Sequence, residues 1–245
     1  MEINLSGKSA VVTGGNHGIG RALVQMLADC GAKVVSTHYS SEFEPFENDS
    51  ITGMQFDATD SSAVEAAMKA AAEKLDGKID ILVNNAGGLL ARVETSEMSD
   101  DHFHKVMDVN FSSTFYCTRE ALKYMPDGGR IINLSSLAAQ DGGGGGSRIY
   151  AASKGAVISF TRGMAKELGP RRITVNAIAP GFIADTAFHN TFTPDNVQEM
   201  IVGKIPVGRG GHVDDVAAAG VYLASEWAGF ISGEVLEING GLYFT

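Results

Sequence analysis

Ser9-Ala-Val-Val-Thr13-Gly14-Gly15-Asn16-His17-Gly18-Ile19-Gly20 is the stretch whose reading decides the fold. A short apolar run ends at Thr13 in a turn rich in glycine. After it Ala22, Leu23, Met26, Leu27 and Cys30 recur at helical spacing until Gly31 stops the pattern. The order predicted is strand, glycine loop, helix. In that order the loop amides and the helix N-terminus point at one spot, and glycines let a pyrophosphate approach them closely. A glycine turn by itself is a weak signal, because many strand–helix turns carry two glycines and bind nothing. The rest of the chain has to agree.

Working outward, residues 32–37 read as a second strand. The stretch from there to Ser50 is polar and acidic, with Glu42, Glu44, Glu47 and Asp49, and Pro45 breaks it, so no helix is expected. Residues 53–57 read as a third strand, and Ser62-Ala-Val-Glu65 as a capping box opening a helix with Val64, Ala67, Met68, Ala71 and Leu75 on one face. Residues 79–83 form a fourth strand leading into Asn84-Asn-Ala-Gly87-Gly88, and a long helical stretch over 99–125 carries Asn110 in its middle. Residues 130–134 form a fifth strand ending in Ser135-Ser136. Five consecutive glycines at 142–146 then make either a surface loop or a place where substrate meets backbone. A helix over 150–168, a sixth strand over 173–178, a substrate segment over about 181–205, a helix over 213–224 and a last strand over 235–238 complete the chain. Strands alternating with helices predict a mostly parallel sheet covered on both faces. With the glycine loop after the first strand, this is an α/β, Rossmann-like, doubly wound sheet in a single domain, 1–245.

Composition narrows the function. The 245 residues are 44% hydrophobic and 20% charged, with a net charge of −10 and no basic run, which argues against nucleic acid and anionic membranes as partners. Cys30 and Cys117 read as small core residues of a reduced compartment, with no metal-ligand spacing. The N-terminal residues lack a basic region and an apolar stretch, and no run of about 18 apolar residues occurs. A cytoplasmic protein is expected.

Chemistry centres on Tyr150-Ala-Ala-Ser-Lys154. Four residues on a helix return to the same face, so hydroxyl and ammonium meet. A free phenol titrates near pH 10, and a neighbouring cation draws it toward neutrality. Such a hydroxyl can give a proton to a carbonyl oxygen or take one from an alcohol. The spacing alone is common on exposed helices.

The ordered set Thr-Gly14-Gly-Asn-His-Gly18-Ile-Gly20, Asn84-Asn-Ala-Gly87, Asn110, Ser136, Tyr150-x-x-x-Lys154 and Pro180-Gly181 resembles the short-chain dehydrogenase/reductase family over essentially the whole chain. The resemblance implies a catalytic tetrad of Ser136, Tyr150, Lys154 and Asn110, with Asn110 interrupting its helix and holding a water that continues a proton path through the lysine. Cofactor contacts are implied for Gly14, Asn16, His17, Gly18, Ile19, Gly20, His38, Asp57, Asn85, Ala86, Gly87, Pro180, Gly181 and Ile183, besides Tyr150 and Lys154. It implies NAD(H) or NADP(H), and a homotetramer. Thr37-His38-Tyr39-Ser40 carries no acid for a ribose hydroxyl, yet no lysine or arginine lies between Lys33 and Lys69 for a 2′-phosphate. NAD(H) is favoured over NADP(H). Asp185-Thr186 falls one position later than the family's usual threonine.

For substrate, the fourteen-residue gap from Ser136 to Tyr150, the glycine run and the tail resemble reductases of small polar keto sugar acids of the 4-deoxy-5-hexoseulose uronate type. Arg92, Arg148 and His189 are the candidate carboxylate ligands. The alternative is a 3-oxoacyl-carrier-protein reductase, whose acidic partner the net charge opposes. The second alternative is a nucleotide-binding scaffold without catalysis.

Overall fold

The computed structural model describes residues 2–39, 42–184 and 186–244. Ser40 and Asp185, both part of the readings above, lie outside the described residues. Seven parallel strands form one sheet in the order β3-β2-β1-β4-β5-β6-β7. They are β1 Ser9–Val12, β2 Lys33–His38, β3 Ile51–Gln55, β4 Ile81–Asn84, β5 Arg130–Leu134, β6 Thr174–Pro180 and β7 Val235–Ile238. The nine α-helices found among the described residues are α1 Gly18–Asp29, α2 Ser61–Lys74, α3 Asp100–Met107, α4 Ser113–Ala121, α5 Ala138–Asp141, α6 Arg148–Leu168, α7 Ala187–Phe192, α8 Asp195–Val202 and α9 Val213–Ala224.

Side chains alternate across each strand, and the alternation divides the core in two. Ala10 and Val12 of β1 face one layer with Ile81, Val83, Ile132 and Ile178, under Leu23 and Leu27 of α1 and Val216 and Val221 of α9. Val11 faces the other layer with Val35, Leu82, Ile131 and Val175, under Met68 of α2, Cys117 of α4 and Met164 of α6. The central strands β1, β4 and β6 are buried along their whole length because both faces are covered. Strand order reverses between β1 and β4, and ligands of such sheets bind beyond the strands' carboxyl ends at that point.

Three expectations shift. The third strand starts at Ile51, earlier than 53, and ends at Gln55. It is an edge strand, with Thr52 and Gln55 exposed and the rest half-buried, so its apolar pattern is weak while its register with Val34 to His38 is set by β2. The N-cap of α2 is Asp60, which accepts from the amides of Ser62 and Ala63, where a capping box at Ser62 was predicted. The acid two residues earlier wins because a carboxylate is the stronger acceptor for those amides. The helix predicted over 99–125 ends at Ala121 and is interrupted, as the family resemblance implies, by a π-helical turn, Asp108–Ser112, centred on Asn110, that joins α3 to α4. As expected, no helix joins β2 to β3 among the described residues. Arg21 instead donates to the carbonyls of Glu44 and Pro45 and stacks on Phe46, 4.1 Å from its ring centre.

Candidate active site

The glycine loop leaves β1 at Thr13 and turns through Gly14, with φ of 64°, and Gly18, with φ of 51°. Both values lie in the left-handed region that favours glycine. At Gly20 a Cβ would stand 2.1 Å from the Gly14 carbonyl oxygen, so the loop closes on itself only without a side chain. Thr13, which sequence reasoning passed over, ties this loop to the next: its hydroxyl accepts from the amides of Asn85 and Ala86, and the Asn85 side chain donates to the Thr13 and Gly14 carbonyls. No side chain caps the first amides of α1, which open toward the same space.

That space is a cavity of about 600 Å³. Gly14, His17, Gly18, Ile19, Gly20, Asn85, Ala86, Gly87, Pro180, Gly181 and Ile183, all expected at the cofactor, line it together with Ser136, Tyr150 and Lys154. A positive-φ loop without side chains, a helix N-terminus and a long open cavity fit a dinucleotide. Asn16, His38 and Asp57 do not line the cavity. Asn16 is buried and grips the segment after β2, donating to the Glu42 carbonyl and accepting from the Glu44 amide. His38 stacks on Phe43 at 5.3 Å, and the Asp57 carboxylate holds the amide and hydroxyl of Thr59.

Ser136 follows β5; its hydroxyl accepts from the Ala138 amide at 3.1 Å and stands near enough to the Tyr150 phenol to favour the phenolate. Tyr150 is the third residue of α6, in its first turn, and Lys154 lies one turn on. The Lys154 Nζ sits 5.9 Å from the Tyr150 ring centre and donates to the Leu134 carbonyl at 2.8 Å. Burial lowers this lysine to about 8. Burial also raises the Tyr150 phenol, and the Ser136 hydroxyl offsets only part of that rise. The expected pull of the lysine on the phenol is therefore outweighed here by desolvation of the phenolate. The tyrosine stands protonated at neutral pH, ready to donate.

Asn110 is fully buried and fixes the loop after β4. Its Oδ1 accepts from the Gly88 amide at 3.0 Å, and its Nδ2 donates to the Gly88 and Val106 carbonyls at 2.8 Å. The π turn swings this side chain out of the helical ladder, a usual role for such turns at functional sites. A Cβ at Gly87 would lie 2.6 Å from the Asn110 Oδ1 and 3.0 Å from the Lys154 Nζ, so Asn110, Gly87 and Lys154 form one close-packed unit.

The far wall is apolar: Leu89, Phe182, Phe188, Val197, Ile201 and Leu242. Val197 and Ile201 come from α8, inside the expected substrate segment 181–205, and Leu242 from the tail; none of the three was singled out by the sequence. Of the three candidate carboxylate ligands, Arg92 and His189 line the cavity and Arg148 does not. The Arg148 guanidinium is turned to the carbonyls of Gly142, Gly143 and Gly144. His189 lies between Phe182 and Phe188, with Nδ1 3.1 Å from the Thr193 hydroxyl. Burial and the Arg92 charge lower it to about 4, so it is neutral near pH 7 and brings no charge to a carboxylate. Among the described residues no group of His, Cys, Asp or Glu is placed to hold a metal, and no helix is long and apolar enough to cross a membrane.

Known proteins agree with this architecture. Residues 14–243 match the family model described as enoyl-(acyl carrier protein) reductase. The chain is 39% identical to the 3-oxoacyl-acyl-carrier-protein reductase FabG of Vibrio cholerae, covering 98% of this chain and 99% of that one. Among solved structures, a short-chain dehydrogenase/reductase from Serratia marcescens is 36% identical with a TM-score of 0.89, over 97% of this chain and 98% of that one. A blue fluorescent protein from a metagenomic library, solved in complex with NADPH, is 34% identical with a TM-score of 0.88, over 98% and 100%. The chain belongs to the short-chain dehydrogenase/reductase family of NAD(P)-dependent oxidoreductases.

Proposed function

We propose that this protein reduces the 3-oxo group of an acyl thioester, using NADH. The observation that carries the substrate reading is the apolar wall of Leu89, Phe188, Val197, Ile201 and Leu242 facing Ser136 and Tyr150, which suits an acyl chain. The FabG resemblance supports the same reading. The sugar-acid reading loses two of its three ligands, since Arg148 turns away and His189 is uncharged.

In this scheme Ser136 donates a hydrogen bond to the substrate carbonyl oxygen. Tyr150 gives that oxygen its proton as the carbon accepts a hydride, so the carbonyl becomes a secondary alcohol. The nicotinamide supplies the hydride. The Lys154 ammonium, near the Tyr150 ring, offsets the negative charge of the phenolate left behind, and Asn110 holds the Gly88 backbone beside it. Glycines 14, 18 and 20, with His17 and Ile19, cradle the pyrophosphate. NADH is preferred because Arg21, the arginine nearest the glycine loop in sequence, is committed to the carbonyls of Glu44 and Pro45 and to Phe46, and so is not available to a 2′-phosphate. Exposed Phe230, Trp227 and Phe115 are in keeping with a homotetramer, which light scattering of the purified protein would test.

The test is the initial rate with NADH and with NADPH on acetoacetyl groups carried by a small thiol and by an acyl carrier protein, with the unsaturated-uronate keto acid in parallel. Turnover of the thioester with NADH supports the proposal. Turnover of the keto acid alone would replace it, and the net charge of −10 predicts that the small thiol ester outruns the acidic carrier.

A further inference from the structure

The five glycines of residues 142–146 do not share one reason for being glycine. Gly142, Gly143 and Gly146 have φ of 83°, 69° and 66°, so the backbone itself favours glycine at each. At Gly146 a Cβ would also strike Arg92 and the Val93 amide at 2.9 Å. Gly144 and Gly145 are free of both constraints. A Cβ at Gly145 would meet only the Glu94 carboxylate at 3.6 Å, and one at Gly144 only the Arg92 Nη1 at 3.3 Å, the far end of a flexible side chain. Gly144 lines the cavity and Gly145 does not.

The loop around them is held, not loose. Arg148 binds its carbonyls from outside, and the Ser147 hydroxyl donates to Gly144. From the cavity side Arg92 donates through Nη1 to the Gly145 carbonyl and through Nε to the Phe192 carbonyl at the end of α7. Those two bonds clamp the guanidinium between the glycine loop and α7, and its Nη2 makes no hydrogen bond to the described residues. Asp141, the acid on this rim, is occupied by the Gly143 amide. Apart from Lys154, Arg92 is the cavity's lysine or arginine.

We propose that Arg92 and the side-chain-free surface of Gly144 form a subsite for an acceptor oxygen of the substrate beyond the reacting carbonyl. The oxygen is a thioester carbonyl or a carboxylate, and the missing Cβ at 144 is what gives it access to the guanidinium. This deepens the thioester reading above and makes Gly144 a specificity-determining position.

Two measurements decide it, one independent of turnover. Gly144→Cys and Gly145→Cys are alkylated with iodoacetate and with iodoacetamide at low salt, and the unmutated chain gives the background from Cys30 and Cys117. A cation beside one thiol and a carboxylate beside the other should make the iodoacetate-to-iodoacetamide rate ratio roughly fivefold higher at 144 than at 145. Equal ratios, or a higher one at 145, overturn the subsite. Gly144→Val should raise KM roughly tenfold for acetoacetyl thioester or for acetoacetate, with a smaller effect on kcat, while Gly145→Val leaves both unchanged. The substrate whose KM moves tells carbonyl from carboxylate. Equal effects of the two valines would mean general loop damage and would sink the proposal. If the unmutated protein turns over neither substrate, the thioester reading fails, and the alkylation ratio alone decides the subsite.

Discussion

Replacing Lys154 by methionine should make the cofactor-free protein more stable and catalytically poor. Lys154 is buried, and desolvation lowers it from 10.5 to about 8. At about 1.4 kcal/mol per unit, holding that charge inside costs the folded state about 3 kcal/mol at neutral pH. Methionine removes the cost but leaves the Leu134 carbonyl without its 2.8 Å donor, a loss of about 1–2 kcal/mol. The variant should therefore gain about 1–2 kcal/mol at pH 7, or roughly 2–6 °C in Tm for a chain of this size. The sign reverses with pH. A lysine whose folded value lies below its unfolded one is penalised fully below about pH 8, and the penalty fades as pH rises to 10.5. Near pH 10 the gain should vanish, and the variant should become slightly the weaker of the two. Tyr150, whose own titration is raised, is present in both proteins and cancels. Urea unfolding followed by circular dichroism at pH 7, 8, 9 and 10, without cofactor, measures the difference. A variant less stable than the parent at pH 7, or a difference that does not shrink between pH 8 and 10, would refute the reasoning.

Three other outcomes follow from the site. Tyr150→Phe should lose carbonyl reduction by at least about 10³-fold while NADH fluorescence titrations show unchanged affinity; retained turnover would remove the tyrosine from the proton step. Gly20→Ala should weaken NADH binding by about tenfold or more, because its Cβ would stand 2.1 Å from the Gly14 carbonyl and the loop must open; unchanged binding would mean the loop is not the cradle. Asp60→Ala should lower Tm while Ser62→Ala lowers it less, since Asp60 caps α2; the reverse order would restore the predicted capping box.

How much of this was legible beforehand varies by element. Strand β1 and the loop after it were readable, because a doubly covered strand is an apolar run and the glycines mark the turn; β5 and β7 were readable from the apolar pairs Ile131-Ile132 and Val235-Leu236 between turn residues. The helixless connection after β2 was readable from Pro45 and four acids. The start of β3 was not, because an edge strand's register is set by its neighbour. Asn110 was visible as a residue of interest, but the π turn that aims it is a matter of hydrogen bonds with Gly88 and Val106 that no periodicity displays. Arg148 shows the same limit: a segment's proximity to a site says nothing of which way a long side chain turns. The lining by Val197, Ile201 and Leu242 depends on tertiary closure alone.

The segment that replaces a helix between β2 and β3 has a consequence for motion. A helix there would have covered the β2–β3 edge with many apolar contacts; residues 42–50 cover it with Phe43 and Phe46 and a few polar bonds. Their amides and those of β3 should therefore exchange with deuterated solvent through small local openings, well before the strands at the sheet's centre. Asn16 belongs at once to this segment and to the glycine loop. Whatever orders the loop should slow that exchange, so deuterium uptake at the sheet's edge becomes a gauge of occupancy in the neighbouring cavity.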